Sequence, residues 1–415
     1  MKTCLIIGCC FAAWTNAALA TGDVLDQVDD ALTWSALGDR ARLRVSGALD
    51  LEGYTFQSPA PGLLYTDKND LLNQRLTLFL DAQMGSRFYF FAQSRIDRGF
   101  DPGDAHLQVR LDEYALRYTP ADNGRFNIQI GKFGTVVGNW VQRHHSWDNP
   151  FITAPLPYES LTGIFDVAAA NSPGALLDWA NINPATAKGE RYYSPYRVPV
   201  IWGPSYASGA SLAGAAGKFD YAFELKNASL SSRPGTWDAG ETQWQHPTCS
   251  GRLGFRPNEM WQAGFSASTG TYLLPSAQPT LAPGHSLGDY RETVFGQDLS
   301  FAWHHLQFWA ECYEASFANP RVGPADVVAY YLEAKYKFTP QFSGALRWNQ
   351  QLYGSIPDGT GGSVPWGRNV WRIDVAPSYR FTPHLALKLQ YTLQGGGPGP
   401  RDHSSLFAAQ FIMRF

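Results

Sequence analysis

The residues with the most chemistry lie together in one short stretch. Arg143-His144-His145-Ser146-Trp147-Asp148 places a guanidinium, two imidazoles, a hydroxyl and a carboxylate in consecutive order. Ser146 as nucleophile, His144 or His145 as base and Asp148 as orienting acid would be the parts of a hydrolase. Such a chain requires the three side chains to converge in space, whereas neighbours in one loop segment face different ways. Hydrolysis therefore stands as an alternative, and a non-enzymatic protein is expected. The adjacent histidines here and at His304-His305 would point to opposite faces of an extended chain and have no Glu or Cys at a ligand-like spacing, so neither a metal nor a cofactor is expected. In a wet passage the same residues have another use. Arg143 offers a fixed cationic fork to anions, His144 and His145 donate or accept near neutral pH, and Asp148 sets an opposing field. Trp140, Trp147 and Tyr158 could stack on a sugar or anchor the segment to a wall, and Glu159 closes the stretch with a further acid.

The elements that must position this segment read as strands. Leu43, Val45, Leu49 and Leu51 alternate with Arg44, Ser46, Asp50 and Glu52, and Leu76, Leu78 and Leu80 with Arg75, Thr77 and Asp81. The same period of two recurs at Val328, Tyr330, Leu332, Ala334 and Tyr336, and at Leu385, Leu387, Leu389, Tyr391 and Leu393. Sixteen such segments, about the number counted along the chain, are separated alternately by tight turns and long connections. Thr119-Pro120, Thr339-Pro340 and Thr382-Pro383, each preceded by Tyr or Phe, mark tight turns, where Pro stops a strand because it cannot donate to a ladder. The last segment, Ser404 to Phe415, puts Phe407, Ala409, Phe411, Met413 and Phe415 on one face, the pattern of a closing strand in an outer-membrane barrel.

The opposite end agrees. Residues 1–20 carry Lys2, an apolar run and a small-residue ending at Ala18-Leu19-Ala20, the layout of a secretory signal. Residues 21–40 are expected to be a periplasmic lead-in, with a short amphipathic helix over Val24–Leu37, and 41–415 an all-β, antiparallel up-and-down transmembrane barrel. A 14% aromatic content combined with a mean hydropathy of -0.25 fits strands that face lipid on one side and water on the other. The net charge of -3 gives no basic footprint for nucleic acid. Beyond the signal only Cys249 and Cys312 remain, and a disulfide between them is left open.

Phe126-Asn127-Ile128-Gln129-Ile130-Gly131-Lys132-Phe133, ending at Gly138, is similar to the strand and bend that lead into the third loop of a porin. With the strand rhythm, the chain resembles bacterial outer-membrane porins, including the phosphate-selective type, over nearly all of residues 21–415. The resemblance implies that the long connection of about 138–204, after the fifth strand, folds into the lumen as a constriction loop. It implies passive diffusion of small hydrophilic solutes or ions, contact with outer-membrane lipids, and a homotrimer. The expected lumen wall comprises Arg75, Asp81, Arg95, Glu113, Arg117, Glu333, Arg347, Arg372, Asp374, Arg380 and Lys388. These charges could form a basic wall facing an acidic loop, or pair with one another. A barrel that serves as a scaffold for a partner protein is the other alternative; no Cys-x-x-Cys-His is present to carry haem.

Overall fold

A computed structural model describes residues 24–38, 40–57, 69–98, 107–121, 124–181, 197–233, 244–397 and 402–415. The expected signal, residues 1–20, lies outside these, as does 182–196 of the long connection. The chain starts with a helix, α1 (24–31), and a short strand, β1 (Thr33–Ala36). Then come β2 (Ala41–Phe56), β3 (Asp70–Met84), β4 (Phe88–Asp97), β5 (Gln108–Tyr118) and β6 (Asn127–Phe133). The connection after β6 carries α2 (Leu156–Glu159) and α3 (Pro173–Asn181). It is followed by β7 (Ala207–Ala216), β8 (Phe219–Lys226), β9 (Thr248–Phe255), β10 (Trp261–Thr271), β11 (Arg291–Trp303) and β12 (Leu306–Asn319). Next come β13 (Gly323–Lys337) and β14 (Phe342–Tyr353), and a small hairpin of β15 (Ser355–Pro357) and β16 (Ser363–Pro365) stands above them. The chain ends with β17 (Val370–Arg380), β18 (Leu385–Gly396) and β19 (His403–Arg414).

Sixteen of these strands form a closed antiparallel barrel, because β19 pairs with β2 and every consecutive barrel strand pairs with the next. Each strand expected from alternation is present, with ends shifted by a few residues. Closure satisfies every strand edge, which a spanning sheet requires in hydrocarbon. Phe407 is 50% exposed on the outside while its neighbour Ala408 is 0% exposed inside, and the same division separates Leu332 from Glu333. An apolar exterior around a charged interior suits a barrel standing in a bilayer. No helix among the described residues is long and apolar enough to cross one.

One end of the barrel has only tight turns. Thr339 and Thr382 build two of them: the Thr339 hydroxyl accepts from Phe342 N–H at 2.9 Å, and that of Thr382 from Leu385 N–H at 3.0 Å. This is the physical content of the repeated Thr-Pro signal. His304, with φ +50°, opens the two-residue turn between β11 and β12, so the His304-His305 pair is hairpin punctuation.

The expected helix over Val24–Leu37 is corrected. It stops at 31, and β1 pairs with residues 41–44 of β2. The reason lies in the end of β19: Gly47 N–H donates to Phe415 O at 2.9 Å, while Val45 N–H, two residues lower, donates to Leu32 O at 2.9 Å. β1 thus continues along the β2 edge where β19 runs out, and ladder bonds outweigh helical periodicity. The terminal ring lies against Gly47, where a Cβ would be 2.6 Å from Phe415 Cζ.

The main apolar core is inside the barrel. Trp140, Tyr158, Ile164, Leu176, Val198, Val200 and Trp202 of the long connection pack with Tyr290, Val294, Tyr313, Phe317, Val327 and Tyr331 of the wall and its rim. Fully burying each large apolar side chain contributes roughly 1.5–3 kcal/mol, so a connection with this many is held as firmly as a folded domain.

Candidate functional site: the loop-lined passage

The connection turns into the lumen at Gly138, whose φ is +74° and whose Cβ, if it had one, would lie 2.8 Å from a Glu311 oxygen. Glycine is required there by both conformation and space. Glu311 on β12 then clamps the entering chain. Its carboxylate accepts from Asn139 N–H at 2.5 Å, Trp140 N–H at 2.8 Å and Tyr158 Oη at 2.6 Å. Further along the wall, Arg347 on β14 donates to Thr153 O at 3.1 Å, and Arg372 on β17 donates to Glu159 and to Ala154 O. On β18, Lys388 donates to Asn149 O at 2.5 Å and to Ser146 O, while Gln390 Oε1 accepts from Ile152 N–H at 2.7 Å. The described part of the long connection therefore folds into the lumen, fastened from β12 round to β18.

What it leaves open is a cavity of about 570 Å³ against β2, β3 and β4. Its wall includes Arg44, Asp50 and Tyr54 on β2, Arg75 and Phe79 on β3, and Arg95 and Asp97 on β4; its loop side includes His145, Ser146, Trp147 and Glu159. From Arg44 to Tyr54 the cavity follows most of the length of β2, roughly 33 Å along the strand and about 25 Å of height for a strand tilted about 40°.

Along β2–β4 and at Arg347 and Arg372, the charges pair with one another rather than forming a basic wall opposite an acidic loop. Arg75 lies 3.2 Å from Glu52, 3.3 Å from Asp97 and 3.8 Å from Asp50. Arg95 meets Asp112 at 3.4 Å, Arg347 meets Asp374 at 2.9 Å, and Arg372 meets Asp374 at 3.3 Å as well as Glu159. A buried guanidinium needs such compensation, which is why the pairs are local.

Several expected pore residues are placed elsewhere. Arg143 points into the wall, bonded to Glu333 at 2.5 Å and Tyr331 Oη at 3.0 Å, with its guanidinium 4.3 Å from the Trp309 ring centre. It is an anchor rather than a lining residue. Trp140 and Tyr158 are buried against each other with ring centres 4.4 Å apart, so they hold the loop in place. Trp147 and His145 do face the cavity, His145 edge-on to Phe79, and Asp148 is exposed beside them. Glu113 accepts from Gly134 N–H at 2.7 Å, fixing the start of the loop. Arg117 donates to Gln129 and Asp81 accepts from Tyr89, both at the tight-turn end. Arg380 lies over Trp147.

The residues of a hydrolytic triad are not brought together. Ser146 Oγ donates to Asp50 at 2.7 Å, while His144 turns away to Tyr206 Oη at 2.7 Å. Among the described residues no three His, Cys, Asp or Glu side chains gather at a metal-sized site, and Cys249 and Cys312 are both free thiols. Asp97, Arg110 and Asp112 were not anticipated as lumen residues. A bulge between β4 and β5 leaves Asp112 without a ladder partner and turns it inward beside Glu113, a displacement that strict alternation does not signal.

His144 gives the loop a pH dependence. Its Nδ1 donates to Val141 O, so the neutral ring must accept from Tyr206 at Nε2. Burial, helped by the charge on Arg95, pushes His144 down to about 3, and His145 is pushed down by burial and by His144. A histidine that takes up protons less readily when docked favours docking fully above pH 6.5 and loses that contribution as pH falls towards 3. At about 1.4 kcal/mol per unit, moving to pH 4 weakens docking by on the order of 3 kcal/mol through His144. Current noise in single channels is expected to rise between pH 6.5 and 4, and His144→Gln to flatten that rise.

No protein-family model matches the sequence, and no curated protein is similar to it in sequence. Solved structures are similar in fold. The trimer form of OmpT, an outer membrane protein of Vibrio cholerae, superposes with a TM-score of 0.55 at 8% identity, covering 91% of this chain and 100% of that one. The anion-selective porin from Comamonas acidovorans gives 0.53 at 11%, covering 90% and 100%. The outer membrane channel DcaP of Acinetobacter baumannii gives 0.53 at 11%, covering 92% and 99%. At these identities the likeness is one of fold, and it does not single out the phosphate-selective type. The chain has the sixteen-stranded barrel fold of outer-membrane proteins.

Proposed function

We propose that this protein is an outer-membrane porin, a passive water-filled channel for small hydrophilic solutes or ions, with its tight turns in the periplasm. The observation that carries the reading is the cavity between the inward-folded loop and β2–β4, lined by charged side chains from Arg44 and Asp50 to Arg75, Arg95 and Asp97, which follows the barrel wall from Arg44 to Tyr54. A loop serving only as a plug would gain from apolar packing on all sides. Here its largest apolar cluster packs against β11–β13, with Phe151 on β14 and β17 and Ile152 near Tyr54, while His145, Ser146 and Glu159 face the charge-lined cavity. Transport on this reading needs no covalent step and no resident cofactor. Assembly as a homotrimer is part of the proposal, supported by the trimer form of the Vibrio neighbour.

Purified protein in a planar bilayer is expected to give reproducible open conductance steps that saturate with the size of added neutral solutes. A folded barrel that inserts yet stays electrically silent would instead favour a scaffold.

A further inference from the structure

The lumen cations fall into two groups. Arg75, Arg95, Arg143, Arg347 and Arg372 each hold a carboxylate at ion-pair distance. At the tight-turn end of the same wall, Lys335 on β13, Arg380 on β17, Lys388 on β18 and Arg414 on β19 hold none among the described residues. They are not scattered. The Arg380 and Arg414 guanidiniums lie 4.7 Å and 4.0 Å from the centre of one ring, Trp147, at the low point of the inserted loop. Lys388, on the strand between them, is fixed by the loop carbonyls of Ser146 and Asn149. Lys335 is within electrostatic range of Arg380 and of Glu333, Asp148 is within range of Lys335, Lys388 and Arg414, and Asp50 and Glu52 also act on Lys388 and Asp29 on Arg414, none of them at ion-pair distance. None of the four cations is paired directly with a carboxylate among the described residues, and Asp148 is the exposed acid near three of them. The fork donors of Arg380 make no hydrogen bond among the described residues, while Arg414 commits only Nε, to Pro383 O at 2.9 Å.

Cations held together without a directly paired carboxylate repel, and an indole face offsets only part of that cost. A planar fork with free donors matches the geometry of an oxyanion. We propose that Trp147, Arg380, Arg414 and Lys335 form an oxyanion-binding site beneath the constriction loop, taking phosphate or a carboxylate-bearing solute. Lys388 supplies further positive potential while holding the loop. The site makes the channel attract anions along its axis from the periplasmic side, in place of a field across its width. Its position on a permeation path rests on the porin reading; binding itself does not.

The test therefore has two readouts on the full-length mature barrel. Calorimetric titration of detergent-folded protein with inorganic phosphate, and separately with acetate and succinate, reads the site and separates phosphate from carboxylate chemistry. Reversal potential in a potassium chloride gradient reads its effect on permeation. Saturable binding of phosphate or a carboxylate is expected, weakened at least about ten-fold by Arg380→Gln with Arg414→Gln, as the loss of a charge-assisted hydrogen bond implies. Lys335→Gln, which disturbs no hydrogen bond among the described residues, should weaken it several-fold and moves no packed group. In conducting protein the double variant should shift the reversal potential towards cations. Anion binding without conductance would keep the site and remove the porin reading. Conductance with no saturable binding of any of the three anions, or with binding and reversal potential unchanged in both variants, overturns the site.

Discussion

Glu311→Ala is expected to free the start of the constriction loop and to turn a steady channel into a noisy one of higher conductance. The reason is the number of donors that converge on one carboxylate: Asn139 N–H, Trp140 N–H and Tyr158 Oη all lose their acceptor at once. Each buried donor left unsatisfied costs about 1–3 kcal/mol, so loss of all three weakens docking by on the order of 3–9 kcal/mol. Tyr158 keeps one partner, the Tyr313 hydroxyl at 2.7 Å, which places the true figure towards the lower part of that range. The backbone ladder from β12 to β11 and β13 does not involve the Glu311 side chain, so the barrel remains closed. Single-channel recording should show a larger mean current and frequent sublevels, while heat-dependent mobility on gels stays that of a folded barrel. Glu311→Gln retains one accepting oxygen and should fall between the two. Identical current and noise in Glu311→Ala would show that the loop is held by its apolar core alone.

This clamp also shows where sequence reading stops. That Glu311 faces inward follows from its alternation with Cys312, as the inward positions of Arg75, Arg347 and Asp374 follow from theirs. Alternation is local, and it is enforced by a solvent boundary on each face, so the sixteen barrel strands and most of their facing were legible. The position of the long loop after the fifth strand was legible too, because it depends only on chain order. Partners were not. Whether Arg143 lines a pore or pairs with Glu333 depends on how far the loop reaches across the lumen, and 190 residues separate the two in sequence. Asp112 was hidden by a bulge, and β1 by an amphipathic pattern that suited a helix as well as a strand. Trp147 is the instructive case. An aromatic residue beside Asp148 reads as a sugar platform or an anchor, and only the closed barrel brings Arg380 and Arg414, from strands far along the chain, over its ring.

Arg347→Ala should be the most damaging single change in the wall. The side chain is 0% exposed and joins three things: Asp374 at 2.9 Å, Glu333 at 3.6 Å and the loop at Thr153 O. It also lies 4.2 Å from the centre of the Phe151 ring, which is buried beneath it. Truncation leaves Asp374 with Arg372 and Glu333 with Arg143, but each acid loses part of its compensation in a site closed to water. Breaking a buried pair in this way costs about 3–5 kcal/mol, more than an exposed pair could. Loss of the side chain's volume adds a cavity beside Phe151. The expected result is a lower unfolding temperature for the whole barrel, read by the loss of β circular dichroism in detergent, together with a loosened loop. Removing both charges separates the contributions. Arg347→Met combined with Asp374→Asn keeps volume and leaves no carboxylate at 374 to compensate, so it should recover a substantial part of the lost stability, as replacement of an entire buried pair commonly does. If the double variant is no more stable than Arg347→Ala, the arginine acts through its packing on Phe151 and its bonds to Thr153, and electrostatic compensation is the smaller effect.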